Sequence, residues 1–127
     1  MALEDPEHLK ELFAAFGPVS VRRMFGGAGI YAEGIMFALI ADGELYLKAD
    51  EETIPAFRAE GTGPFVYGAK GRRIVMSYWR LPDRLIDEPE ELAEWARAAL
   101  KAAQRAASSG SRRRGTGVRK RNGGRRR

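Results

Sequence analysis

The chain has 127 residues, no cysteine, one histidine and a formal net charge of +5. That length suits one domain with room for a real core. The cysteine count excludes a disulfide scaffold, a cysteine nucleophile and thiolate metal sites, and a lone His8 excludes a multi-histidine metal site within one chain. No apolar run approaches the ~20 residues that span a bilayer, and the acidic opening MALEDPEH does not read as a secretory signal. The expectation is a soluble, cytoplasmic protein with no membrane partner.

The net charge hides a split. Nine of the 22 Lys and Arg residues lie in 108–127, which holds no acid: Arg112, Arg113, Arg114, Arg119, Lys120, Arg121, Arg125, Arg126 and Arg127. Residues 1–107 therefore carry 13 basic and 17 acidic side chains, a net of −4. The boundary is placed near Ser108. After it, Ser, Gly and Arg leave Val118 as the only sizeable apolar residue, too little to offset chain entropy. The expectation is a folded domain over 1–107 and a disordered basic tail over 108–127.

In chain order, the first element is a helix from about Pro6 to Phe16. Asp5 suits the N-cap and Pro6 the first helical position. Leu9, Leu12, Phe13 and Phe16 form one apolar stripe, and Gly17-Pro18 ends it. His8 sits in the first turn as a surface residue. Val19–Met24 and Gly29–Ala32 read as strands around Gly26, Gly27 and Gly29. Glu33-Gly34 and Asp42-Gly43 read as hairpin turns. The run Ile35–Ile40 is apolar at every position, which predicts a strand covered on both faces. Glu44–Lys48 follows as the next strand.

A second helix is expected from about Glu51 to Glu60, with Asp50–Glu52 at the positive end of its dipole. Phe65–Tyr67 and Arg72–Tyr78 read as strands around Gly68–Gly71. Asp87 is the expected cap of a last helix reaching about Ala107, with Glu90 placed for a capping box. Leu92, Trp95, Ala96, Ala99 and Ala103 make its inner stripe. The order is α-β-β-β-β-α-β-β-α. Short hairpin links make the sheet mostly antiparallel, and the class is α+β. Phe13, Phe16, Phe37, Leu39 and Trp95 are the expected core.

Candidate sites are few. Gly26-Gly27-Ala28-Gly29 lacks the Gly-Lys-Ser/Thr of a phosphate loop and is followed by a strand, so it reads as a glycine-permitted bend or bulge. Gly27 or Gly29 should hold a glycine-only backbone angle or leave no room for a Cβ. Arg22 and Arg23 beside it are a possible anion contact. The acidic clusters Asp50–Glu52 and Asp87–Glu91 begin helices, where the dipole accounts for them. Tyr31, Phe37, Tyr46, Phe65, Tyr67 and Tyr78 all fall on strands. An aromatic sheet face can stack bases, but without a matching fold order or motif, core packing is the expectation. No catalytic, cofactor or metal site is assigned.

The block Val21-Arg22-Arg23-Met24-Phe25-Gly26-Gly27-Ala28-Gly29-Ile30-Tyr31 leads into Gly34-Ile35-Met36-Phe37-Ala38-Leu39-Ile40. Then come Leu45-Tyr46-Leu47-Lys48, Pro64-Phe65-Val66-Tyr67 and Met76-Ser77-Tyr78-Trp79-Arg80-Leu81-Pro82. This succession resembles the TfoX/Sxy N-terminal domain family, in order, from about Leu9 to Ala103. The resemblance implies an α+β domain with an antiparallel sheet and a non-enzymatic role. It also implies regulation of natural competence as coactivators with the cyclic-AMP receptor protein. The resemblance also implies that full-length family members carry a second, helical domain, whereas the residues after Ala107 in this chain read as a basic tail.

The leading expectation is a regulatory or adaptor protein. Its domain binds another protein, such as the cyclic-AMP receptor protein or RNA polymerase by resemblance, and its tail adds non-specific nucleic-acid affinity. The alternative is a nucleic-acid-binding protein that contacts DNA or RNA through the tail and the Arg22/Arg23 surface. A third is a small-molecule or enzymatic pocket near Gly26–Gly29.

Overall fold

The computed structural model describes residues 5–24, 26–69 and 71–116, with side chains of residue 69 and of 109–116 left undescribed. The elements are α1 (Pro6–Leu12), β1 (Ser20–Met24), β2 (Gly27–Ala32), β3 (Ile35–Ala41), β4 (Glu44–Lys48), α2 (Ile54–Ala59), β5 (Pro64–Ala69), β6 (Arg72–Arg80) and α3 (Pro89–Thr116). A short 3-10 turn, Asp83–Asp87, precedes α3. The expected order and α+β class hold. The sheet has six strands in the order β1-β2-β3-β4-β6-β5, every pair antiparallel.

The hairpin turns follow from residue type. Glu33 and Gly34 have φ of 54° and 77°, and Asp42 and Gly43 have 51° and 77°. Two successive positive angles are what a two-residue loop needs to match the strand twist. At the N-terminus, the Asp5 carboxylate accepts from the Glu7 N–H, as expected of a cap. Helix α1 ends at Leu12 rather than Phe16; Phe13 to Phe16 continue as tight turns into Gly17.

All helices bury their apolar residues against one sheet face. Leu9 from α1, Phe13 just beyond its end, Phe57 from α2 and Leu92, Ala96, Ala99 and Ala103 from α3 join Ile30, Ala38, Ile40, Leu45, Leu47 and Trp79 in one cluster. Of the expected core, Phe13 and Phe37 are fully buried there, while Phe16 and Trp95 are only partly buried at its rim. Leu39 is 6% exposed but lies outside that cluster.

The reason is a β-bulge. Tyr31 pairs with Met36 and Ile30 with Ala38, so Phe37 is an extra residue in β3. The bulge turns Phe37, Ala38 and Ile40 toward the helices and leaves Leu39 on the opposite face. The continuous apolar run is thus not covered by helices on both sides.

Other boundaries also differ from expectation: α2 begins at Ile54 rather than Glu51, so Asp50–Glu52 precede its first turn, and both ends of α3 move. Asp87 does not cap α3; it closes the 3-10 turn, and Pro89 begins the helix. The end of α3 is corrected from Ala107 to Thr116, because the stretch after Ala102 contains no proline to stop the ladder. Of the expected unstructured tail, 117–127 lies outside the described residues.

Candidate functional site

Directly paired strand residues share a face. One such row crosses five strands: Arg22, Gly29, Leu39, Tyr46 and Arg80. It is the face opposite the helices. Strand alternation adds Met24 and Tyr31, Tyr31's partner Met36, and Tyr78. Tyr46 then meets Phe65 at 5.0 Å between ring centroids, and Phe65 stacks on Tyr67 at 5.9 Å.

This placement corrects the expectation of core packing for Tyr31, Tyr46, Phe65 and Tyr67, while Tyr78 is buried. Only Phe37 joins the helix-covered core. Tyr31, Tyr46, Phe65 and Tyr67 line the open face, and Tyr78 is buried within its side chains. In β4 the cause is plain: Leu45 and Leu47 take the core side, so Tyr46 between them cannot. Burial raises the Tyr78 hydroxyl pKa to about 12, with Tyr31 nearby as a lesser cause. Burial also raises that of Tyr46. Both phenols stay protonated at neutral pH and act as hydrogen-bonding, apolar-bodied contacts.

The open face also carries arginines. The Arg22 guanidinium lies 4.8 Å from the Tyr31 ring centroid, an attraction between cation and ring quadrupole. Arg80 is held by Glu44 and by Asp83 at 2.9 Å. Met24 is 42% exposed and Tyr67 43%. An exposed face of Tyr, Met and Arg has the composition of an interface center.

The structure does not bring Arg22 and Arg23 together. Arg22 pairs with Gly29 and Arg23 with Ala28, so successive residues point to opposite faces. Gly27 and Gly29 are ladder residues of β2, bonded on both sides, and not a free loop. The glycine expectation holds in its steric form. A Cβ on Gly27 would stand 1.8 Å from the Ile40 carbonyl oxygen, and one on Gly29 2.7 Å from the Met36 sulfur. Of the tail residues, Arg112, Arg113 and Arg114 lie on helical backbone with undescribed side chains. Arg119, Lys120, Arg121, Arg125, Arg126 and Arg127 fall outside the described residues.

Grooves also lie on the helix side. One of 320 Å³ runs between α2 and α3, past Lys48, Phe57 and Trp95. The next, of 580 Å³, continues past Asp50, Ser77 and Arg105. Lys48 joins them: its ammonium donates to the Ser77 hydroxyl oxygen and sits 5.2 Å from the Tyr78 ring centroid. Burial lowers its pKa, and Asp50 only partly offsets that. Lys48 and Ser77 are far apart in sequence, and no motif announces them.

Each acidic cluster has members held in ion pairs: Asp50 and Glu52 by Arg105, and Glu91 by Arg84. Asp50 accepts from Arg105 at 2.8 Å and from the Glu52 N–H at 3.1 Å. Arg84 bridges Glu60 at 2.7 Å and Glu91 at 2.8 Å, which lowers both carboxyl pKa values. Among the described residues, no group of three or more His, Cys, Asp or Glu side chains could hold a metal. No described helix is long and apolar enough to cross a membrane.

The family model of the TfoX N-terminal domain matches residues 11–103, a span that holds every strand and most of α3. Protein Sxy of Escherichia coli K12 is 28% identical over 94 residues, covering 74% of this chain and 45% of that protein. DNA transformation protein TfoX1 of Aliivibrio fischeri is 30% identical over 97 residues, covering 73% of this chain and 46% of that protein. The chain spans less than half the length of these curated relatives.

Proposed function

The chain belongs to the TfoX N-terminal domain family, and from that premise we propose that it is a non-enzymatic regulatory adaptor, of the competence-regulator type, acting in transcription. The observation that carries this reading is the open sheet face. Strands β1, β2, β3 and β5 present Arg22, Met24, Tyr31, Met36 and Tyr67 with no helix over them among the described residues. Such a face supports protein docking better than chemistry. Burial raises the pKa of the Tyr46 and Tyr78 phenols on this face, and its arginines serve as contacts rather than as proton donors. The partner class that the family resemblance favours is the cyclic-AMP receptor protein or RNA polymerase.

The basic tail adds affinity for nucleic acid without choosing a sequence. It has no aromatic residue to stack on bases, so its contacts are with phosphate. The second reading, direct attachment to DNA or RNA through the tail and Arg22, rests on nine basic residues with no acid in 108–127.

The test is titration of the purified full chain against each purified partner, with and without nuclease treatment. The adaptor reading expects binding that survives nuclease and that Met24→Glu with Tyr67→Glu weakens at least tenfold. Binding that nuclease abolishes, and that these substitutions leave unchanged, replaces it with the second reading.

A further inference from the structure

The β5–β6 hairpin outruns the rest of the sheet. β4 pairs with β6 at Tyr78, Trp79 and Arg80, with two further bonds, from the Ala49 N–H to the Ser77 carbonyl and from the Leu81 N–H to the Leu45 carbonyl. The chain then turns away toward α2. β5 and β6 stay paired through Val66 and Val75, Tyr67 and Ile74, Gly68 and Arg73, and Ala69 and Arg72. Among the described residues, that outer part is a two-stranded ribbon with no third strand on either side. Its successive pairs, at ~3.4 Å each, reach roughly 10 Å beyond the sheet.

The ribbon carries one sign of charge. No Asp or Glu occurs from Gly61 to Pro82. Arg72 and Arg73 are exposed, and neither is in an ion pair or side-chain hydrogen bond among the described residues. Elsewhere Arg80, Arg84 and Arg105 are each held by carboxylates. In a domain whose first 107 residues net −4, this is a local reversal of charge. Strand alternation sends Arg72 and Ile74 to one side, and Arg73 and Val75 to the other. The two guanidinium groups therefore straddle the ribbon. Tyr67 and Val75, 43% and 63% exposed, lie behind them on its two sides.

We propose that this ribbon enters the major groove of duplex DNA, with Arg72 and Arg73 engaging phosphates on the two opposite strands that wall it. The dimensions agree: the groove is about 12 Å wide and 8.5 Å deep, and admits two paired strands. The planar guanidinium fork suits a phosphate. The major groove of A-form RNA is too deep and narrow for such an element, which favours DNA over double-stranded RNA. This inference does not depend on the adaptor reading, and it places a DNA contact in the folded domain in addition to any made by the tail.

The test uses the full chain and a fluorescent DNA duplex of about 24 base pairs, titrated across a salt series. Arg72→Gln with Arg73→Gln should flatten the slope of log K against log salt by about 1.8, two phosphates at ~0.9 each. Affinity at low salt should fall about tenfold, with the melting temperature unchanged. On an RNA duplex of equal length the same substitutions should leave the slope nearly unaltered. Because the chain has no cysteine, Val75→Cys can carry a single photo-crosslinker, which should capture DNA. The same group at Glu94→Cys, on the helix side, should not. An unchanged DNA slope, or no DNA adduct from position 75, overturns the proposal. Equal loss of RNA and DNA affinity also overturns it, by reducing the ribbon to an unshaped charge patch. So does position 75 crosslinking to a protein partner in preference to DNA.

Discussion

The backbone of β3 passes so close to Gly27 that a methyl group on this glycine would stand 1.8 Å from the Ile40 carbonyl oxygen. No side chain can move aside to relieve that contact, because the obstacle is main chain. Gly29, two residues on, is crowded differently. Its would-be Cβ meets the Met36 sulfur at 2.7 Å, the Met24 methyl at 3.1 Å and the Tyr31 ring at 3.2 Å. Two of these three are the ends of flexible methionines on the open face.

Gly27→Ala and Gly29→Ala should therefore separate. The first forces β2 and β3 apart and should cost roughly 3 kcal/mol, at the upper end of overpacking penalties. The second should cost about 1 kcal/mol, as Met24 and Met36 change rotamer. Urea melts of the two variants check this. Equal costs would mean that β3 yields as readily as a methionine tip.

Phe37 and Phe16 touch, at 5.0 Å between centroids, yet should differ in the same assay. Phe37 is fully buried and also packs edge-on against Phe13 at 5.5 Å. Phe37→Ala should cost roughly 3–5 kcal/mol. Phe16 sits at the rim, and Phe16→Ala should cost roughly 1–2 kcal/mol, the transfer of a partly exposed ring. A loss below about 1 kcal/mol at Phe37 would place the β3 bulge wrongly.

These contrasts show what was legible in the sequence. Glu33-Gly34 and Asp42-Gly43 announced their hairpins because few other pairs accept two positive φ angles. The helix stripes were legible because burial on one side imposes a period. The bulge at Phe37 was not, since an extra residue in an unbroken apolar run leaves the composition unchanged. The open aromatic face was half legible. The alternation Leu45-Tyr46-Leu47 already assigns Tyr46 away from the core, but the matching sides of β2 and β5 depend on register. Likewise, two adjacent arginines on a strand, Arg22 and Arg23, must diverge. Lys48 and Ser77 meet only through the β4–β6 pairing.

The ion pair between Asp50 and Arg105 ties the end of β4 to α3 and should show in the acid limb of stability. The hydrogen bond from Arg105 is the main reason that the Asp50 pKa lies below the usual carboxylate range. A depressed carboxyl contributes stability that is complete above its unfolded value, ~3.9, and that is lost as the pH falls through the lower, folded value. Arg105→Gln should thus lower the melting temperature by a constant amount above about pH 5. The gap to the parent protein should close as the pH drops below ~4. A gap that persists at the lowest pH would assign the role of Arg105 to packing rather than to charge.

The tail and the ribbon make separable contributions to DNA affinity. If roughly five to eight of the nine tail charges meet phosphates, the tail alone sets a slope of log K against log salt of about −4.5 to −7. Replacing Arg112, Arg113, Arg114, Arg119, Lys120, Arg121, Arg125, Arg126 and Arg127 by glutamine removes that contribution. The remaining domain carries −4 overall and repels the duplex at long range, so affinity should fall steeply. A residual slope near −1.8 should survive if Arg72 and Arg73 each hold one phosphate. Further substitution of those two should then take it to zero. Because tail contacts go to phosphate alone, scrambling the DNA sequence should leave the tail's share unchanged. A parent slope near zero would demote the tail to a solubility segment. An affinity unchanged by loss of all nine charges would move the whole interaction onto the folded surface.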